Sequence, residues 1–409
     1  MVLSALSFIQ ESKKSEIASL QQLLQLGRLV GAVSQMIHVL QRERGTANIF
    51  LCSLVDTWRE PLSERVRDSH AAQQVVNQLL ESQDVTAQNM VNAARLFSRI
   101  AGVLHSHNTL VALRQQILAR SISQPEAMNG YNEVNRVHLA LVFEAADICA
   151  DPAISRALLA MFSFMQGKEF AGQERATAAA GFAARHFDEN VQQQLVDLIE
   201  SQERCFQTFM EFAHSQCLAL WQQQINQHSS EFERFRRIAC TKTTPGGESA
   251  DVALRWFELS TARIDGMKTV EDSLEDALMA CCRERISEAR ASLAVQQQNI
   301  EQLPQPDNHY ATLLPPQLSR AVLELLEQQS RQLQVLDAEL TRLRVQLAER
   351  KLVERAKGLL IRHHGLTEAQ AHKAMLDMAM KQNKKLSDIA EVMLAVSAIA
   401  DKNGNKGGQ

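Results

Sequence analysis

Apolar residues recur at spacings of three and four from about Ser15 to Ile300, the period of helices that turn one face to a core. The pattern pauses at Glu60-Pro61, Ser123-Gln124-Pro125, Asp151-Pro152 and Pro245-Gly246-Gly247. Breaks this short join the antiparallel helices of a bundle. Two stretches, Ser15 to about Trp58 and Ala250 to about Leu303, hold no proline and predict single long helices. The break at Asp151-Pro152 falls near the middle of this region, and QRERGTA at 41–47 is echoed by GQERATA at 172–178. Two stacked bundles across residues 15–302 are the predicted arrangement.

Four prolines and few charges in residues 303–317 cannot continue a helix and predict a hinge. Helical period resumes over 318–349, where Leu336, Leu340, Leu343 and Leu347 alternate steps of four and three. Such a seam suits either a coiled-coil dimer or one amphipathic helix packed within its own chain. Further on, Leu352, Ala356 and Leu359 share a face of a helix ending at His363-His364-Gly365, with glycine as its left-handed cap. Thr367 and Gln370 form a capping box for a second helix burying Ala371, Met375, Met378 and Ala379. Ser387 caps a third, carrying Ile389, Val392 and Met393. A small three-helix bundle follows, and residues 398–409 read as a disordered end.

Composition agrees with an all-α chain: 16 glycines and 8 prolines in 409 residues, and 5% aromatics. Seven cysteines, odd in number, fit neither a disulfide framework nor a CxxC metal site, which predicts a reducing, cytoplasmic setting. No P-loop, HExxH, GxSxG or GxGxxG signature is present, so neither an enzyme nor a cofactor is expected. Pro245-Gly246-Gly247 lacks the Lys-Ser/Thr of a phosphate cradle and reads as a turn before an N-cap at Ser249. His363 and His364 sit at a helix end with no cysteine nearby for a metal. No apolar run approaches the roughly 18 residues of a membrane span.

Charge separates the two ends. Residues 350–386 hold nine Lys/Arg against three Asp/Glu, or +6, so the rest of a chain of net charge −4 carries −10. A basic tail on an acidic body is the footprint of a nucleic-acid-binding module on a regulatory domain. Arg350, Lys351, Arg355, Lys357 and Arg362 flank the predicted apolar face, and Lys381, Lys384 and Lys385 crowd the turn before Ser387, so all are placed on an RNA-facing surface. Lys384 and Lys385 suit phosphate contacts, Arg350 and Lys357 loop recognition. No aromatic residue follows Tyr310, so the tail offers no stacking platform. The alternatives are duplex DNA, read by a helix-turn-helix, and an acidic protein partner.

Within the body, arginines interrupt apolar stripes. Arg44 stands among Val33, Ile37, Leu40, Ala47 and Leu51, Arg175 among Ala171, Ala178 and Phe182, Arg236 among Phe232, Phe235 and Ala239, and Arg263 among Trp256, Leu259, Met267 and Val270. A guanidinium cannot shed its charge, so burial demands a partner. Glu43, Glu174, Glu231, Glu233 and Asp265 are the nearby carboxylates, and a small bound anion is the other candidate, since planar N–H forks match planar oxyanions.

Two resemblances bear on that choice. QRERGTANIFL, GKEFAGQERATAAAGF and WFELSTARIDGMKTVEDSL, over roughly residues 30–285, resemble the NIT family of nitrate- and nitrite-sensing domains. ERAKGLLI, GLTEAQAHKAM and AMKQNKKLSDIA, within roughly 335–397, resemble the ANTAR family of RNA-binding antitermination domains. The pairing implies a regulator whose ligand, nitrate or nitrite, contacts Arg44 and Arg236 with Arg175 and Arg263 beside them. It further implies a tail that binds stem-loop leader RNA to prevent termination upstream of nitrate assimilation genes, acting as a homodimer.

Overall fold

Twelve α-helices and one 3-10 turn make up the regular structure of the described residues in the computed structural model, which are 5–53, 56–81, 93–226, 230–243, 252–301, 316–364, 366, 368–382 and 384–404. The helices are α1 (Ala5–Cys52), α2 (Arg59–Glu81), α3 (Ala93–Leu118), α4 (Gln124–Ile148), α5 (Pro152–Ala184), α6 (Glu189–Phe212), α7 (Ser215–Asn226), α8 (Ser230–Thr241), α9 (Val252–Glu301), α10 (Pro316–His364), α11 (Glu368–Gln382) and α12 (Leu386–Gly404). They divide into two units, residues 1–162 with 272–341, and 163–271 with 342–409.

In the first unit α1 packs along α2 and α4, and α3 along α4. The stripe Leu29, Val33, Met36, Ile37 and Leu40 explains why α1 runs so long, since each of these side chains is fully buried. The segment Gln10–Cys52 of α1 is apolar enough by length and composition to cross a membrane, contrary to the sequence reading, but 72% of its most apolar window is buried in the fold. Helix α4 starts on a capping box in which Ser123 Oγ accepts from Glu126 N and the Glu126 carboxylate accepts from Ser123 N, with proline in the first turn. Asp151 Oδ1 accepts from the N–H groups of Ala153 and Ile154 to start α5, and its Oδ2 accepts from Arg285 at 2.8 Å.

In the second unit Phe182, Phe187, Phe232, Phe235 and Trp256 form the core, with Phe232 stacked on Trp256 at 11°. Lys168 and Glu271, both fully buried, join α5 to α9 by an ion pair. Helices α10, α11 and α12 close a small core of Ala356, Leu360, Ala371, Met375 and Ala390, and α11 packs against α6.

Several expectations change. Leu340, Leu343 and Leu347 are buried within the chain itself, so the leucine seam is occupied and unavailable to a second copy. Helix α12 begins at Leu386 rather than after Ser387, and the Asp388 carboxylate accepts from Lys385 N. Ile389, as expected, and Ala390 are its buried residues, while Val392 is 50% exposed. The end expected to be disordered from 398 is helical to Gly404. Of the hinge expected at 303–317, Pro316 and Gln317 instead open α10, and 303–315 lie outside the described residues, as do Pro245-Gly246-Gly247, Ser249, Gly365 and Thr367.

Candidate functional site

The echo between residues 41–47 and 172–178 is realised as one side-chain device in each unit. In the first, Glu43 on α1 is fully buried and accepts both arms of Arg114 from α3, Nε and Nη2 each at 2.8 Å. Tyr131 Oη donates to Glu43 Oε1 at 2.8 Å, and Ser69 Oγ donates to Glu43 Oε2. The next residue, Arg44, is 1% exposed and donates through Nη1 to Asn132 Oδ1 at 2.5 Å. Arg114 escaped the sequence reading, although Leu110, Leu113 and Ile117 frame it in the stripe pattern that exposed the other four.

In the second unit, Glu174 on α5 accepts both arms of Arg236 from α8, Nε at 2.7 Å and Nη2 at 2.9 Å. Gln202 on α6 ties this pair to a further cation. Its Nε2 donates to Glu174 Oε2 at 2.7 Å, while its Oε1 accepts from Arg263 Nη1 on α9 at 3.0 Å and from Arg236 Nη2 at 3.4 Å. The Phe232 ring lies beneath both guanidiniums, at 5.4 Å from Arg236 and 5.3 Å from Arg263. A cavity of about 400 Å³ lined by Ile199, Glu233, Arg236, Arg237, Cys240 and Thr241 gives access to Arg236.

Electrostatics at this cluster are unequal. Burial pushes the Glu174 carboxyl up, but the Arg236 charge and its hydrogen bonds, with Arg263 and Gln202, outweigh it and hold the group below the ordinary range. Arg236 is raised, because Glu174 more than offsets its desolvation. Arg263 instead falls to about 10, through burial first and then repulsion from Arg236, with Glu174 too committed to restore it. Glu174 and, more weakly, Glu233 act on both guanidiniums. Glu233 approaches Arg236 at 3.8 Å, but its side chain is 56% exposed and water screens it.

Arg175 turns elsewhere, donating to Thr261 Oγ1 at 2.9 Å and lying over the Phe257 ring, while Trp256 Nε1 donates to its carbonyl. Of the four predicted arginines the second unit therefore joins Arg236 and Arg263 directly, with Arg175 on another side of α9, and Arg44 belongs to the first unit. Of the predicted carboxylates, Glu231 pairs with Arg255 rather than with any of these arginines.

At the C-terminal end the basic residues split into two sets. Arg355, Lys381, Lys384 and Lys385 are exposed and Lys351 is half-buried. Lys357 is 6% exposed and paired with Glu354 at 2.6 Å, and Arg350 donates to Ser163 Oγ at 3.0 Å. Exposed or boundary positions were expected for both, and Lys357 departs from this while Arg350 is half-buried. The reason for the difference is that their face of α10 meets α5 and α6 around a cavity of about 240 Å³, which also takes in Arg204, Cys205 and His372. His372 is lowered to about 4 by burial and then by Lys357 and Arg204, so this contact gathers positive charge. The side chain of Arg362 is outside the described set.

A family model described as nitrate and nitrite sensing matches residues 35–279, which include every residue of both carboxylate–arginine clusters. The chain belongs to this NIT family. The ANTAR domain model matches residues 341–394, so the NIT protein ends in an ANTAR domain. Its relatives include the nitrate regulatory protein of Klebsiella oxytoca, 35% identical over 390 residues that span 95% of this chain and 94% of the relative. The transcriptional regulatory protein PdtaR of Mycobacterium tuberculosis is 42% identical over 72 residues, 18% of this chain and 35% of its own. Among solved structures, that of the NasR transcription antiterminator aligns with a TM-score of 0.63 at 33% identity, covering 96% of this chain and 99% of that one.

Proposed function

We propose that this NIT–ANTAR protein is a nitrate-responsive transcription antitermination regulator, whose sensor takes nitrate or nitrite and whose ANTAR domain then binds stem-loop leader RNA of nitrate assimilation genes. The observation that carries the sensing half is the half-buried pair Arg236 and Arg263 joined through Gln202 beside Glu174, guanidinium forks whose geometry matches a planar monovalent oxyanion. Arg44 and Arg175, each following the anchoring glutamate of its repeat, complete the candidate ligand set. Family membership favours RNA over a duplex DNA target read by a helix-turn-helix.

The output half rests on Arg350 and Lys357, which are turned onto α5 and α6 while Arg355, Lys381, Lys384 and Lys385 face solvent. A tail in this state offers RNA only part of its basic surface. Nitrate acts by binding more tightly to the state in which the remainder is released, since a ligand shifts an equilibrium only through such a difference. Two copies act together in the cytoplasm on paired hairpins, through a surface other than the occupied leucine seam; light scattering of the nitrate- and RNA-bound protein tests this. The function as a whole is tested by calorimetric titration with nitrate, where heats of binding that vanish in the Arg236→Ala variant support it and an inert wild-type protein refutes it.

A further inference from the structure

Glu233 stands three residues before Arg236 and four before Arg237 on α8, spacings at which helical side chains meet. Arg236 spends Nε and Nη2 on Glu174, and its third nitrogen, Nη1, has Glu233 Oε1 at 3.8 Å, beyond hydrogen-bonding reach. That carboxylate is loosely held. Its side chain is 56% exposed and its one ion pair among the described residues is the long one to Arg236, whereas Glu231, also in the first turn of α8, is bonded to Arg255 at 2.8 Å. Its charge nonetheless acts on both Arg236 and Arg263.

Arg237 offers the same carboxylate a second place. It follows Glu233 by four residues, the acid-first order that favours pairing along a helix. It is exposed, takes part in no ion pair among the described residues, and lines the cavity of about 400 Å³ together with Glu233 and Arg236. A carboxylate and a nitrate or nitrite ion each present two oxygens on a planar centre with one negative charge, so the two compete for the same guanidinium nitrogen. We propose that Glu233 is a gate for the oxyanion: it stands against Nη1 of Arg236 until the ligand enters this cavity, then swings to Arg237. This rests on the reading of the second unit as the nitrate site, and it gives Glu233 and Arg237 a part in setting affinity without lasting contact to the ligand.

The test is a double-mutant cycle in the full chain, with Glu233→Gln, Arg237→Gln and the two combined, each substitution removing a charge. Nitrate affinity is measured by calorimetry beside the ligand-free melting temperature. Both side chains are exposed, so melting temperatures should stay within about 2 °C of wild type.

Expected is nitrate binding about three- to fivefold tighter in E233Q, as loss of a partly screened competing charge implies. R237Q should bind about twofold more weakly, because Glu233 then loses its alternative partner. That loss should vanish in the E233Q background, since the two residues act as one device. Independent charge effects at the two positions would instead add, and an Arg237 that itself held the ligand would be missed in either background. Affinity in E233Q no tighter than wild type, or an R237Q loss that persists in the double variant, would overturn the proposal alone. Wild-type protein that binds no nitrate would overturn the sensor reading and the proposal with it.

Discussion

Arg263 keeps its proton at neutral pH although burial lowers it to about 10, so its desolvation opposes folding. Replacing it by Met removes a desolvated cation in favour of a side chain that packs, a change that is often neutral or stabilising for buried ions. Arg263→Met should keep or raise the unfolding free energy in urea while nitrate affinity falls; a variant that loses both in parallel would mean the guanidinium is structural. A second residue-scale consequence lies in the first unit. His138 Nδ1 sits 2.8 Å from the Val134 carbonyl and must donate to it, so His138 Nε2 accepts from His107 Nε2 at 3.2 Å, and both rings are neutral. Burial holds each near 4, helped at His107 by Arg114. Unfolded histidines titrate near 6.5, so the unfolded chain takes up protons first. The stability contributed by the neutral pair is complete above about pH 6.5 and lost between there and about pH 4, on the order of 2 to 4 kcal/mol in all. Chemical denaturation at pH 7.5 and pH 5 checks this, with a His107→Gln/His138→Gln variant expected to lose less on acidification.

Among the helices, α5 and α9 are held by Lys168 and Glu271, both at zero exposure. Removing one partner, as in Glu271→Gln, takes the carboxylate charge away from a buried ammonium and should lower stability by about 3 to 5 kcal/mol, while Lys168→Met/Glu271→Leu should recover most of it. Equal losses in the single and double variants would show that shape rather than charge governs the contact. The long helices were legible from sequence because proline-free apolar stripes such as Val33, Ile37 and Leu40 leave a single solution for burial. The helix end at residue 185 was not, whereas the end near residue 120 was marked by the break at 123–125. Arg120 and Arg185 both adopt φ of 52°, with Ser121 N donating to Gln116 O and His186 N to Gly181 O, closing each helix with a left-handed residue that is not glycine. Arginine carries no turn signal, so the end at 185 passes as continuous helix. The candidate ligands were legible as charges in apolar stripes, but their sorting was not. Pairing depends on contacts between residues 26 to 88 apart in sequence, from Ser69 with Glu43 to Arg44 with Asn132, which no local pattern encodes.

Over the whole molecule, the proposed anion site on α5, α6, α8 and α9 controls the basic tail on α10, α11 and α12. Arg204 on α6 repels Lys357 at the tail contact, where burial and both charges keep His372 neutral. Arg204→Glu should convert that repulsion to attraction, hold the tail more firmly, and weaken RNA binding at saturating nitrate by about tenfold, as a coupling of 1 to 2 kcal/mol implies. Undiminished RNA affinity in that variant would separate the contact from control of output. The most direct measurement is a fluorescence anisotropy titration of a hairpin leader RNA with the full-length protein, without nitrate and at saturating nitrate. Nitrate should tighten RNA binding, and saturating RNA should tighten nitrate binding by the same factor, because the coupling is reciprocal. RNA affinity indifferent to nitrate would contradict the account.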